Sequence, residues 1–185
     1  FTGTCLTSEP SRSATFQAIN FAKEKGLPII FDIDYRPYIW KSLNETSKIY
    51  LKTVKLCDVI IGNDEEFGIM SGNYEKGINI AENLSNSSKI TIYKMGKRGS
   101  ITFFENKIIK TGVFDINPIK PTGAGDAFMG GFVSSFMNNK TLEDSIIIGS
   151  AAAGIVVTKV GCSLAMPDKK EIELFNIHFQ GRAKN

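Results

Sequence analysis

Short apolar runs alternate with longer segments of helical period along this chain. Ser8-Glu9-Pro10 is a helix-start signal, and Ala14, Ala18, Phe21 and Ala22 trace one apolar face that Gly26 ends. Residues 27–33 form a short apolar run with β-branched members, which predicts a buried strand. Polar groups cluster where it stops, at Asp32-Ile33-Asp34-Tyr35-Arg36-Pro37. A second helix is predicted after Trp40, then a buried strand over residues 57–61, a short helix over 63–71 and another over 75–84. Residues 90–95 alternate as a strand, 96–99 turn, and 100–104 continue as strand. Glu105-Asn106-Lys107 reads as a hairpin turn into residues 108–113. Phe128, Phe132 and Phe136 recur at helical spacing, so an amphipathic helix begins near Gly123 with those rings in the core. Gly130-Gly131 in that helix predicts close packing against a neighbour. A second long helix starts at Thr141, where Thr141 and Asp144 have capping-box spacing, and a last one covers residues 169–175.

Strands alternating with helices predict an α/β fold whose mostly parallel sheet is covered on both faces. Ligands of such sheets sit beyond the carboxyl ends of the strands. Four polar groups fall at such ends: Asp34 with Arg36, Asn63 with Glu66, Lys94 with Gly96, and Asp126.

Composition narrows the classes. The 185 residues, 42% of them apolar, suffice for one domain with a full core. No run approaches the roughly 18 apolar residues of a membrane span. The opening Phe1-Thr2-Gly3-Thr4-Cys5 has no basic segment followed by an apolar stretch, so no secretory signal is expected and the compartment expected is the cytoplasm. Cys5, Cys57 and Cys162 are widely spaced, and His178 is the single histidine, which argues against zinc. A net charge of +3 from scattered Lys and Arg suits anionic small-molecule ligands and gives no argument for nucleic acid.

The chemistry concentrates in Pro121-Thr122-Gly123-Ala124-Gly125-Asp126-Ala127-Phe128. Glycines there let a ligand approach the backbone, and the free amides of a first helical turn attract anions. Asp126 alone would also suit an ordinary helix start. The two glycines flanking Ala124 favour a phosphate site over plain capping.

These residues resemble the C-terminal signature of the PfkB (ribokinase-like) family of sugar kinases. Asn63-Asp64-Glu65-Glu66 is similar to that family's N-x-x-E motif, and Lys94-Met95-Gly96-Lys97-Arg98-Gly99 resembles its G-x-x-G turn. Gly149-Ser150-Ala151-Ala152-Ala153 and Thr158-Lys159-Val160-Gly161-Cys162 resemble its adenine-side helix and loop. Residues 31–40 resemble the segment of members acting on keto-deoxy sugar acids.

The resemblance implies a three-layer αβα ribokinase-like sheet, with residues 1–185 as the C-terminal, nucleotide-binding portion of a kinase domain. The family's N-terminal sheet, glycine-rich sugar segment and β lid have no counterpart here. It further implies ATP and Mg²⁺ as cofactors and a sugar acid as the small-molecule partner, with homo-oligomerisation of the full-length protein left open. Asp126 would be general base, and the Gly123, Ala124 and Gly125 amides would hold developing phosphoryl charge. Asn63, Lys94, Gly96, Gly99, Gly125 and Ser150 would bind nucleotide, with Lys94 or Lys97 near phosphate. Glu66 would orient water around Mg²⁺, and Arg36, with Asp126, would meet the sugar acid. Ser150 stands where several relatives have Asn. Lys120-Pro121 replaces the Asp-Thr of members that bind a monovalent cation, and a lysine ammonium would take that cation's place.

Plainer readings stand beside these. Asn63 and Glu66 would merely cap a helix, Arg36 would pair with Asp32 or Asp34, and residues 96–99 would be a hairpin turn with exposed lysines. Two other functions also remain in play: a non-catalytic nucleotide-binding fragment, and a Rossmann-type dinucleotide binder. The latter lacks a G-x-G-x-x-G after an early strand.

Overall fold

A computed structural model describes residues 1–86 and 90–179. They group into two compact units, Phe1–Gly96 with Ser100–Ile109, and Lys97–Gly99 with the residues from Lys110 onward.

Strands β1 (Ile30–Asp32), β2 (Val59–Asn63), β3 (Ile90–Lys94), β4 (Ser100–Phe104) and β5 (Lys107–Thr111) form one sheet in sequence order. The first three are parallel, with Asp32 beside Ile61 and Asn63 beside Lys94, whereas β4 runs antiparallel to β3. The connection from Lys94 to Ser100 is too short for the crossover that a parallel pair needs, so the chain must reverse there. Glu105 and Asn106 both take positive φ, 48° and 60°, as a tight two-residue hairpin turn requires.

In the first unit α1 (Ser11–Glu24) precedes β1, and the crossovers are α2 (Leu43–Val54) and then α3 (Asp64–Ser71) with α4 (Gly77–Leu84). Phe31, Tyr50, Val54, Ile60 and Phe67 are fully buried in its core. Burial of such side chains contributes about 1.5–3 kcal/mol each. Arg12 of α1 joins Glu45 of α2 at 3.1 Å.

Helix α1 turns a different face inward from the one expected. Ile19 is buried, and Phe16 and Ala22 pack against the core, while Ala14, Ala18 and Phe21 are exposed. One isoleucine and one phenylalanine carry more apolar area than two alanines, and they set the helix rotation. Phe21 instead lies under the Lys25 ammonium. The run at residues 27–33 keeps only Ile30–Asp32 as strand: Pro28 has no amide to donate to a ladder, and the Ile29 amide goes to the Asp58 carboxylate.

The second unit holds α5 (Ala124–Met137), α6 (Leu142–Val157) and α7 (Lys169–His178). Phe128, Phe132 and Phe136 stack in succession along α5, with Phe128 and Phe132 buried. The α5–α6 contact is set by glycines: a Cβ on Gly131 would lie 3.0 Å from Ile148 O, and one on Gly149 2.9 Å from Phe128 O. Gly130, expected to share that role, faces open space. Thr141 caps α6 by accepting the Asp144 amide, and Asp168 with Glu171 forms a full capping box on α7. Among the described residues no helix is long and apolar enough to cross a membrane.

Candidate active site

Three of the expected polar groups gather at the carboxyl ends of β1, β2 and β3. Asp34 and Arg36 follow β1, Asn63 ends β2 and caps α3, and Lys94 ends β3 in register with Asn63. Asp126 belongs to the second unit.

Glu66 is the buried member of the first group, 6% exposed. Its Oε2 accepts the Asn63 amide at 2.7 Å, and Asn63 Oδ1 accepts the Glu66 amide at 2.9 Å, which closes a capping box. Its Oε1 accepts the Tyr35 amide at 3.0 Å. Burial pushes the Glu66 carboxyl above the usual carboxylate range, opposed by the Lys94 ammonium and by the Asn63 and Tyr35 amides. The capping expected for Asn63 and Glu66 is therefore present.

Arg36 is ion-paired to Asp34, Nη2 to Oδ1 at 2.6 Å, and donates from Nη1 to the Tyr35 carbonyl at 3.2 Å. That is the loop-bracing pair weighed against a ligand role. The Arg36 side chain is nonetheless 44% exposed, so solvent reaches it despite the ion pair. Behind it, Trp40 packs edge-on against Tyr50, and Tyr50 edge-on against Phe31. Burial, with the Glu66 charge adding to it, pushes the Tyr50 phenol upward.

In the second unit, Gly123 opens α5 in the left-handed region at φ 86°. A Cβ there would meet Cys162 Sγ at 2.9 Å and Met166 Cε at 3.3 Å, so only glycine suits both the conformation and the space. Among the described residues no side chain caps this helix, and its first intrahelical bond is Ala127 N to Gly123 O at 2.9 Å. The Ala124 amide turns back onto Pro121 O at 3.2 Å, leaving the Gly125 and Asp126 amides ahead of the first intrahelical bond. Asp126 and Gly125 are exposed in that first turn. An exposed carboxylate beside undonated amides can take a proton from one ligand while the amides hold an anion.

The two glycines of the Lys94–Gly99 segment differ. Gly96, at φ 56°, is exposed and nothing crowds it. Gly99, at φ 81°, is buried, and a Cβ would lie 2.0 Å from Thr111 O. Ser150 is half-buried on α6, one residue past Gly149.

Residues 1–169 match the pattern of the pfkB family carbohydrate kinases. The chain belongs to that family. Among its relatives is the 5-dehydro-2-deoxygluconokinase of Geobacillus kaustophilus, 39% identical over 94% of this chain and 53% of that protein. The enzyme of the same name from Geobacillus thermodenitrificans is 37% identical over 96% of this chain and 54% of its own. Among solved structures, the fructokinase of Vibrio cholerae O395 in fructose-, ADP- and calcium-bound form superposes with a TM-score of 0.86 at 25% identity, over 95% of this chain and 59% of that one. The fold is thus ribokinase-like, and the chain spans about half the length of the curated relatives it matches.

For a pfkB kinase the implied divalent ion fits this chain in one way. Among the described residues no group of three His, Cys, Asp or Glu could hold a metal. Both Glu66 oxygens already accept an amide, and each keeps a second lone pair, so the carboxylate suits a water of a hydrated Mg²⁺ rather than the ion itself. The Tyr35 amide, Tyr50 and the sulfur seat of Gly123 carried no sequence signal, because each acts through a contact between distant segments.

Proposed function

We propose that the protein carrying this chain transfers the γ-phosphoryl group of ATP to a hydroxyl of a keto-deoxy sugar acid, with 5-dehydro-2-deoxygluconate as preferred acceptor. The observation that carries this reading is the start of α5: a left-handed Gly123, no side-chain cap, and an exposed Asp126 in the first turn. The names of the curated relatives support the acceptor.

In the proposed reaction Asp126 takes the proton of the acceptor hydroxyl as its oxygen bonds to the γ-phosphorus. The bond from that phosphorus to the bridging oxygen breaks, and ADP leaves. The Gly123, Gly125 and Asp126 amides stabilise charge on the phosphoryl oxygens, with the Ala124 amide fixing the turn that presents them. Mg²⁺, when bound, neutralises phosphate charge, and Glu66 orients a water of its shell. Asn63, Lys94, Gly96, Gly99 and Ser150 belong to the nucleotide side, where Gly99 serves by shaping the turn. Arg36 meets the acceptor carboxylate in two-pronged fashion, which requires it to exchange or share its bond to Asp34.

That bond favours a second reading, in which Arg36 remains a brace and the acceptor is a neutral sugar. A panel of sugar acids and neutral hexoses offered to the full-length protein with ATP and Mg²⁺ separates them. Phosphorylation of keto-deoxy acids supports the first reading. Turnover of neutral hexoses alone removes the acid specificity, and nucleotide binding without turnover of any sugar removes the kinase assignment.

A further inference from the structure

We infer that Glu66 is a positioning residue for the acceptor loop, holding residues 34–40 in place through the Tyr35 amide. The loop is pinned at two points. At one, Tyr35 N donates to Glu66 Oε1 at 3.0 Å. At the other, Trp40 is 7% exposed and lies edge-on to the fully buried Tyr50. Arg36 stands between these anchors, and its carbonyl accepts the Ile39 amide at 3.2 Å to start the short helical turn Pro37–Ile39.

The anchor at Tyr35 has a strained neighbour. Asp34 takes φ 39°, which non-glycine residues seldom adopt, and such a conformation persists only when its surroundings hold it. Glu66 is suited to that task because its other oxygen is fixed by Asn63 at the end of β2. The carboxylate thereby ties the loop after β1 to the end of the adjacent strand. Release of the Tyr35 amide would free Asp34, and with it the guanidinium bound to Asp34.

Glu66→Asp keeps the negative charge and withdraws the oxygens by one methylene, out of reach of Tyr35. Amide hydrogen exchange on the full-length protein reads the clamp directly, whereas the kinetic arm rests on the kinase reading above. Exchange at the Tyr35 amide should quicken by about tenfold or more. The KM for the sugar acid should rise about tenfold alongside that faster exchange. Unchanged protection at Tyr35 overturns the inference, as does a sugar-acid KM that stays constant while Tyr35 exchange quickens. If the wild-type protein phosphorylates no sugar acid, the kinase reading falls, and exchange at Tyr35 still decides the clamp. Should Glu66→Asp fail to fold, Glu66→Gln offers one acceptor oxygen to two amides. Protection must then fall at Tyr35 or at Asn63, and protection kept at both contradicts the clamp.

Discussion

Tyr35 gives its amide to Glu66 at 3.0 Å, and this bond joins the segments that leave two neighbouring parallel strands. A residue of the N-x-x-E motif is thereby engaged with both strand ends before any ligand is considered. This carboxylate thus has a structural role beside the one proposed for it toward Mg²⁺, and the two are separable by experiment.

The buried Glu66 carboxyl gives a pH signature in stability. Burial raises its folded-state pKa above the unfolded value of 4.5, so between those two values the folded protein binds more protons than the unfolded chain. Stability contributed by the protonated form is complete below 4.5 and is lost as pH rises through the folded-state value. Urea unfolding of wild type and Glu66→Gln across this range should show the wild type losing ground to the variant as pH rises. A wild-type advantage that grows with pH would contradict the burial argument.

Gly96 and Gly99 should respond differently to alanine. Each substitution incurs left-handed strain of about 1–2 kcal/mol. Gly99→Ala must also displace the Thr111 carbonyl, whereas Gly96→Ala meets nothing. Chemical denaturation should therefore find Gly99→Ala less stable than Gly96→Ala by at least about 2 kcal/mol, the scale of a core overpacking defect. Equal losses would mean that the Gly99 turn is not packed as described.

Tyr50→Phe should be tolerated. Among the described residues the fully buried Tyr50 hydroxyl and the Trp40 indole N–H both lack a hydrogen bond of ordinary geometry, so removal of the hydroxyl breaks none and keeps the ring contacts to Phe31 and Trp40. Thermal and urea unfolding should show stability unchanged or raised by about 1 kcal/mol. A loss larger than that would reveal a bond this hydroxyl makes in the full-length protein.

Much of the fold was legible because local signals agreed. Asn63 and Glu66 announced the start of α3, and Glu105-Asn106 announced a turn whose positive φ values the structure displays. The rotation of α1 was misread because alanines at helical spacing look like a face until Ile19 and Phe16 compete for the same core. At the candidate site, Gly123 and Asp126 were visible as a pattern. The Ala124 amide was read as a third phosphate donor, whereas it bonds Pro121 O in a turn that the spacing did not show. Arg36 carried two readings in the sequence, and the structure adds its bond to Asp34 without removing its exposure. Contacts such as Cys162 against Gly123 join residues far apart in the chain, which spacing alone does not encode.

The proposed phosphoryl transfer rests on Asp126, whose carboxyl group is exposed at the start of α5. The decisive measurement is turnover of Asp126→Asn in the full-length protein, alongside ATP affinity by calorimetry. Loss of the general base should lower kcat by about a hundredfold or more while the ATP Kd stays within about twofold. Turnover at the wild-type rate would contradict the assignment of Asp126 as base.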